Sequence, residues 1–406
     1  MNPAIFQTTN LTPNEYTMKI CILTSRFPFP QFGGDALRIN EIARYLKRKG
    51  HTLILVSMSD SQSPDMYQAM SLYDNVYYAK RSRAGSLFNC LIGLFCSTPL
   101  QCSYYRSGKY MSLLKTVLEK HKPDLYISHL LRMIPYLEKI GVQQNSIVEM
   151  TDALSKAYGL SSCVKGVGFL KYIYMFERGR IQRYEQYVID KFPKVVCVSQ
   201  NDIALLEKQA GKPCKSLAFH TNGVTIAERK NVMIDCNKIC FLGDMRFMPN
   251  QDAALFFVND IFPLIKQHVP DAKFYIVGSL PPANIQAVAA EDVIVTGFVN
   301  DLEGTINDSC VCVAPIRVAA GIQNKVLVAM GCAVPVVMTP LISGAIPQLK
   351  DGENCLIASE PQGFADSCVA LLCNMSLRNR IGSAGYDVVS ENYDWDTNLE
   401  GYELID

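Results

Sequence analysis

A chain of 406 residues is too long for one compact core and is expected to form two domains of ordinary size. Its 39 lysines and arginines balance 38 aspartates and glutamates, so no global field singles out nucleic acid as a partner, and none is expected. The 15 cysteines lie scattered in apolar runs such as VVCVS and CVCVAP with no secretion signal ahead of them, so they read as reduced thiols of a cytoplasmic protein. Neither Cys236 with Cys240 nor Cys310 with Cys312 has the paired spacing of a zinc site, and no metal is expected.

Residues 1–18 are polar and turn-forming and read as a disordered or extended segment. From Lys19 a buried strand, a proline and glycine loop, an amphipathic helix and a second strand beginning at His51 make a βαβ opening. Gly33 and Gly34 let the backbone approach a ligand just before that helix, whose apolar face is Ile39, Ile42, Ala43 and Leu46. No G-x-G-x-x-G accompanies them, so a dinucleotide fingerprint is excluded. Residues 85–105, GSLFNCLIGLFCSTPLQCSYY, are too short and broken to span a bilayer; they are either a core helix or an exposed apolar face resting on a membrane surface. A strand from Asp124 ends near His129, which is either structural or turned to a cleft. After SIVEM come Thr151, Asp152 and Ser155, with Asp152 either a helix N-cap or a functional acid. The tyrosine- and arginine-rich stretch 165–191 reads as an exposed helix, and HTNGV at 220–224 closes the first half, with a boundary near Ala227.

The second half repeats the pattern. A strand ends at Gly243, a loop carrying Arg246 follows, a helix is expected over Asp252 to Lys266, and a strand over Lys273 to Val277. VIVTGFV at 293–299 gives a further strand and turn. The stretch APIRVAAGIQNKVLVAMGCAVPVVM at 314–338 then reads as strand end, glycine turn, helix from Ile322 to Gly331, and strand from Val334 to Met338. That helix begins beside the C-terminal end of a parallel strand, where α/β sheets bind ligands and free N–H groups favour an anion. Arg317 and Lys325 add cations, and Gly321, Lys325 and Val328 share one helix face. The expected guest is a diphosphate.

The same stretch resembles the donor-binding motif of GT-B fold glycosyltransferases, glycosyltransferase family 4, in the bacterial polysaccharide branch that reads roughly G-I-Q-N-K-V-L-E-A-M-A-x-G-x-P-V-V. The resemblance covers nearly the whole chain from Lys19. It implies an α/β GT-B architecture of two Rossmann-like domains facing each other across a cleft: an acceptor domain over 19–226, joined by a C-terminal helix at 386–406 that Trp395 anchors, and a nucleotide-sugar donor domain over 227–385. It further implies that Gly33, Gly34, Arg246, Arg317, Gly321, Ile322, Gln323, Asn324 and Lys325 hold the donor diphosphate. Phe298, Val299 and Val328 lie at the base and ribose, and His129 and Asp152 act on the sugar or acceptor.

The activity implied is transfer of a sugar from a nucleotide-sugar, as co-substrate, to a glycan or lipid-linked acceptor in cell-surface polysaccharide synthesis. Retention of configuration, no cofactor and no metal come with it, as does a cytoplasmic location at the inner face of the plasma membrane with peripheral contact through 85–105. The two glutamates of the family motif fall on Ala320 and Val328, and no acid replaces them between Asp308 and Asp351. A non-catalytic GT-B nucleotide-sugar-binding protein is therefore the alternative. The sole Asp-x-Asp, Asp394 and Asp396, reads as a helix cap.

Overall fold

Short apolar runs rich in valine, isoleucine and leucine recur between amphipathic helices, and such runs are stable only when covered on both faces. The computed structural model describes residues 17–405 apart from 32, 162–169, 225, 227–232, 300 and 319–321, so most of the 1–18 segment and the boundary at Ala227 lie outside the described residues. Among the described residues, thirteen parallel strands form two sheets. The first contains β1 (Lys19–Thr24), β2 (Thr52–Ser59), β3 (Asn75–Lys80), β4 (Leu125–His129), β5 (Ser146–Thr151), β6 (Lys194–Cys197) and β7 (Leu217–Phe219), in the order β3-β2-β1-β4-β5-β6-β7. The second contains β8 (Asp235–Leu242), β9 (Lys273–Val277), β10 (Val293–Gly297), β11 (Ser309–Ala314), β12 (Val336–Met338) and β13 (Leu356–Ile357), in the order β10-β9-β8-β11-β12-β13.

Each order reverses once, between β1 and β4 and between β8 and β11. Loops leaving neighbouring strands diverge there and leave a crevice at the strands' C-terminal ends. Close backbone approach shapes the second crevice. A Cβ on Gly278 would lie 1.6 Å from the Gly243 carbonyl oxygen, so the turns after β8 and β9 meet only because that residue has no side chain.

Several elements differ from their expected bounds. The helix expected at 252–266 begins at Met248 and runs to His268 through a π turn at Phe257–Ile261, just ahead of Pro263, whose missing N–H interrupts the regular ladder. The 85–105 stretch is no core helix. Its helix Arg83–Gly93 turns Leu87, Phe88 and Leu91 outward, and Phe95 beyond it is 94% exposed. Glu177 and Arg180 of the Leu170–Lys191 helix hold this stretch in place: Glu177 accepts from the Leu100 amide at 2.6 Å, and Arg180 donates to the Gly93 carbonyl at 2.6 Å.

The C-terminal segment ends on the first sheet. Asp394 caps the Trp395–Asn398 turn through the Thr397 amide, and Trp395, Leu399 and Tyr402 join the core formed by Ile20, Ile22 and Leu55. One buried ion pair ties that segment to the rest. Arg38, on the helix Gly33–Arg48, meets Glu149 of β5 at 2.8 and 3.2 Å, and it also donates to the carbonyls of His220 and Thr221 and to Asn222 Oδ1 at 2.7, 3.1 and 3.0 Å. Tyr402 donates its hydroxyl to the same carboxylate at 3.0 Å. Arg38→Ala would leave the Glu149 carboxylate buried without its cation and should lower the unfolding free energy by about 3–5 kcal/mol. Arg38→Met combined with Glu149→Leu should cost less than either single change. Urea denaturation of these variants measures both effects, and a double variant as unstable as Arg38→Ala would show that charge pairing is not what the site requires.

Candidate functional site

The crevice of the first sheet opens where β1 ends. The loop after it passes Arg26 and Phe27 and reaches Gly33, whose φ of +79° is a conformation that glycine adopts without strain. A Cβ built on Gly33 would stand 3.6 Å from Asp244 Oδ2, so this turn faces the loop after β8 in the second sheet. Together they border a cavity of about 180 Å³ that Gly33, Gly34 and His129 line from one side and Arg246 and Phe247 from the other.

His129 is the last residue of β4 and lies buried beside Glu149 in register. Its Nε2 is enclosed without a hydrogen-bond partner, and burial holds the imidazole pKa below its usual value against the pull of Asp35 and Glu149. The ring is thus kept neutral, with a polar atom available to a guest. Asp152 follows β5. Its Oδ1 is likewise enclosed and unpartnered, and desolvation, with Asp202 and Asp35 nearby, pushes its pKa up from 3.8 to about 7. Glu185 is pushed up to about 7 by burial, although its Oε1 accepts from the Ser155 amide at 3.0 Å. Asp202 has its own cation, Lys156, at 2.8 Å. Glu185 escaped the sequence reading because it sits mid-helix among mixed charges, with nothing local to mark it as buried.

On the second sheet the three expected cations differ in their partners. Arg246 is chelated by Asp244, with Nε 3.0 Å from each carboxylate oxygen. Arg317 is turned to Asp252 at 2.6 and 3.0 Å and lies 4.3 Å over the Phe256 ring. Lys325 has no carboxylate partner among the described residues. Its Nζ is hydrogen-bonded to Asn250 Oδ1 and sits 5.2 Å from the Phe241 ring centroid. Burial lowers its pKa from 10.5 to about 7.

The helix carrying Lys325 spans Asn324–Gly331, two residues shorter at its start than expected, because Gln323 is extended at φ −93° and ψ 98°. Asn324 accepts from Asn222 Nδ2 at 2.8 Å, which ties the helix start to the strap crossing from the first sheet. Ile322 and Gln323 precede it, while Ala320 and Gly321 lie outside the described residues. Val328 is half-buried against the second core, as is Val299, and Phe298 is exposed beyond the left-handed Gly297. Among the described residues no group of three or more histidine, cysteine, aspartate and glutamate side chains is placed to hold a metal ion.

Two parallel sheets, each flanked by helices, recur in solved structures that match almost the whole chain. HepE of Anabaena, solved in complex with UDP and glucose, is 15% identical with a TM-score of 0.66, covering 95% of this chain and 98% of that one. Sucrose-phosphate synthase of Thermosynechococcus elongatus is 13% identical with a TM-score of 0.68, covering 95% and 97%. The chain has the GT-B fold. The family described as Glycosyl transferases group 1 matches residues 236–374, the part of this GT-B chain that holds the second sheet. A 44.6 kDa protein of the cps region of Klebsiella pneumoniae is 22% identical over 390 residues, covering 93% of this chain and 96% of that protein.

The two displaced carboxyl groups set a pH dependence whose sign can be worked out. Asp152 and Glu185 lose their protons near 3.8 and 4.5 when unfolded and near 7 when folded. Between those values the folded chain binds more protons than the unfolded one, so their contribution is fully present below the unfolded values and is lost as pH rises through about 7. Asp152→Asn and Glu185→Gln should each flatten the fall in unfolding free energy from about pH 5 to pH 7.5, measured by urea titration. A double variant with the wild-type slope would show that other groups set it.

Proposed function

We propose that this GT-B protein is a glycosyltransferase of family 4, in the polysaccharide branch, that moves a sugar from a nucleotide-sugar to a glycan or lipid-linked acceptor in cell-surface polysaccharide synthesis. Residues 19–226 with 386–406 would form its acceptor domain and 227–385 its donor domain. The observation that carries the proposal is Lys325. A desolvated amine at a helix start, facing a neutral amide and no acid among the described residues, is where an anion would be held. HepE and S. aureus TarM have been solved in complex with UDP, which supports a nucleoside diphosphate as that anion.

In this reading Lys325, Arg246, Arg317 and the main chain at Gly321, Ile322, Gln323 and Asn324 hold the diphosphate, with Gly33 and Gly34 opposite. When the bond from sugar C1 to the diphosphate oxygen breaks, the electron pair goes to that oxygen, and the nearby cations stabilise the developing charge without a metal. Phe298, Val299 and Val328 border base and ribose. The acceptor hydroxyl oxygen forms the new bond to C1 on the face that the diphosphate leaves, its proton passes to the departing diphosphate oxygen, and His129 and Asp152 meet the donor sugar and acceptor hydroxyl, so configuration is retained. The outward face of Leu87, Phe88, Leu91 and Phe95 supports peripheral contact with the inner face of the plasma membrane. No helix among the described residues is long and apolar enough to cross one. Val328 favours the second reading, a nucleotide-sugar-binding protein without turnover, because an apolar side chain offers the ribose no hydrogen bond.

Calorimetric titration with UDP tests the proposal. Diphosphate binding should restore the charge on Lys325, so UDP binding at pH 8 should take up close to one proton, read from two buffers of different ionisation enthalpy, and affinity should fall as pH rises above about 7. Lys325→Ala should abolish the uptake and weaken UDP at least about tenfold, the loss of a charge-assisted hydrogen bond. Val328→Glu should tighten it. Equal UDP affinity in wild type and Lys325→Ala would remove the donor site, and with it the case for an enzyme.

A further inference from the structure

On the first-sheet side of the cavity, two arginines stand without an acid. Arg26, two residues after the end of β1, donates from Nε to the Tyr105 hydroxyl at 3.0 Å. Arg132, three residues beyond His129, holds its guanidinium 5.3 Å from the Tyr105 ring centroid and donates from Nε to Gln101 Oε1 at 3.1 Å. Tyr105 is a fixed post: it is buried, and its carbonyl accepts from the Tyr136 hydroxyl at 2.8 Å. A third arginine near the same ring, Arg81, is neutralised by both oxygens of Asp60 at 2.8 Å.

Neither Arg26 nor Arg132 forms an ion pair among the described residues. Arg132 Nη1 is enclosed with no hydrogen-bond partner, and a buried donor of that kind is normally satisfied. Both side chains line the cavity beside His129, with Arg246 opposite, and among the described residues Asp35 is the one carboxylate lining it, so three arginines face one acid there. A planar guanidinium fork presents parallel donors at the spacing of carboxylate or phosphate oxygens.

We infer that Arg26 and Arg132, braced on Tyr105, form an oxyanion subsite that takes a phosphate or carboxylate group of the acceptor. The word acceptor rests on the glycosyl-transfer reading; the anion site does not. It lies across the cavity from the loop of Asp244 and Arg246, so its guest would enter beside His129 with its hydroxyl directed to the donor side. The chemistry selects acceptors that carry a negative charge, whether a sugar phosphate or a uronic acid.

Calorimetry on the full chain saturated with UDP separates the sources, with glycerol 3-phosphate, glucuronic acid and neutral glucose as probes. At least one of the two anions should bind, glucose should bind at least tenfold more weakly, and the tighter anion identifies the acceptor's charged group. Arg26→Gln with Arg132→Gln should weaken that anion at least tenfold while leaving UDP affinity within twofold, which also shows that the variant is folded. Arg26→Gln alone, at an exposed side chain, should weaken it measurably. The subsite is overturned if neither anion binds wild type, if glucose binds as well, or if the double variant binds the anion unchanged. Should UDP itself fail to bind, the donor reading falls, and the same anion comparison without UDP still decides the subsite.

Discussion

The arrangement of this chain depends on the buried pairing of Arg38 with Glu149. Taking two charges out of water is tolerated only where their remaining donors and acceptors are met, and here nearly all are. The carboxylate receives Arg38 Nε and Nη2, the Tyr402 hydroxyl at 3.0 Å and the Thr151 hydroxyl at 3.3 Å. The guanidinium spends its other donors on the carbonyls of His220 and Thr221 and on Asn222. Four separate pieces of chain, the first helix, β5, the strap at 220–222 and the C-terminal tail, therefore meet at one point. Asn222 extends the connection by donating to Asn324 at the start of the helix that carries Lys325. The position of the second sheet's helix that starts at Asn324 is thus coupled to a polar knot inside the first.

The two sheets differ in how the polar groups near their strand ends are met. On the second sheet, Arg246 and Arg317 are already held by Asp244 and Asp252, which leaves Lys325 as the expected cation whose charge no described acid balances. On the first sheet, the enclosed groups without a partner include the His129 Nε2, the Asp152 Oδ1 and the Arg132 Nη1, which lie at or just beyond the ends of β4 and β5. Enclosed polar atoms without partners are uncommon in folded proteins, and each raises the free energy of the empty site.

Much of the fold was legible because both of its periods are local. Alternation of apolar runs with helical spacing located β1, β4 and β9 within a residue or two. What lay beyond reach depended on partners far along the chain. Nothing near Arg38 announces Glu149, 111 residues away, and nothing near Arg317 announces Asp252, 65 residues before it. The 85–105 stretch could not be resolved by hydropathy, since a core helix and an outward apolar face have the same composition. Exposure of Leu87 and Phe88 was decided by the anchoring of Leu100 and Gly93 to Glu177 and Arg180.

Backbone strain points to the same place as the open polar groups. Leu130 follows His129 at φ 70° and ψ 160°, a region populated almost only by glycine, and Thr151 closes β5 at φ 71°. Conformations of this kind cost about 1–3 kcal/mol each for residues with a side chain and persist only where surrounding structure fixes them. Here the fixing is visible: the Leu130 amide donates to the Glu149 carbonyl at 2.9 Å, its carbonyl accepts from the Ser128 hydroxyl at 3.2 Å, and Thr151 is joined to the Glu149 carboxylate. The strain is therefore held by the residue that anchors Arg38. A regular continuation of β4 would carry the chain straight past the crevice. The sharp departure at Leu130 instead leaves His129 at the rim and brings Arg132 back to it, so the knot that joins the two halves also shapes the wall on which a guest would rest.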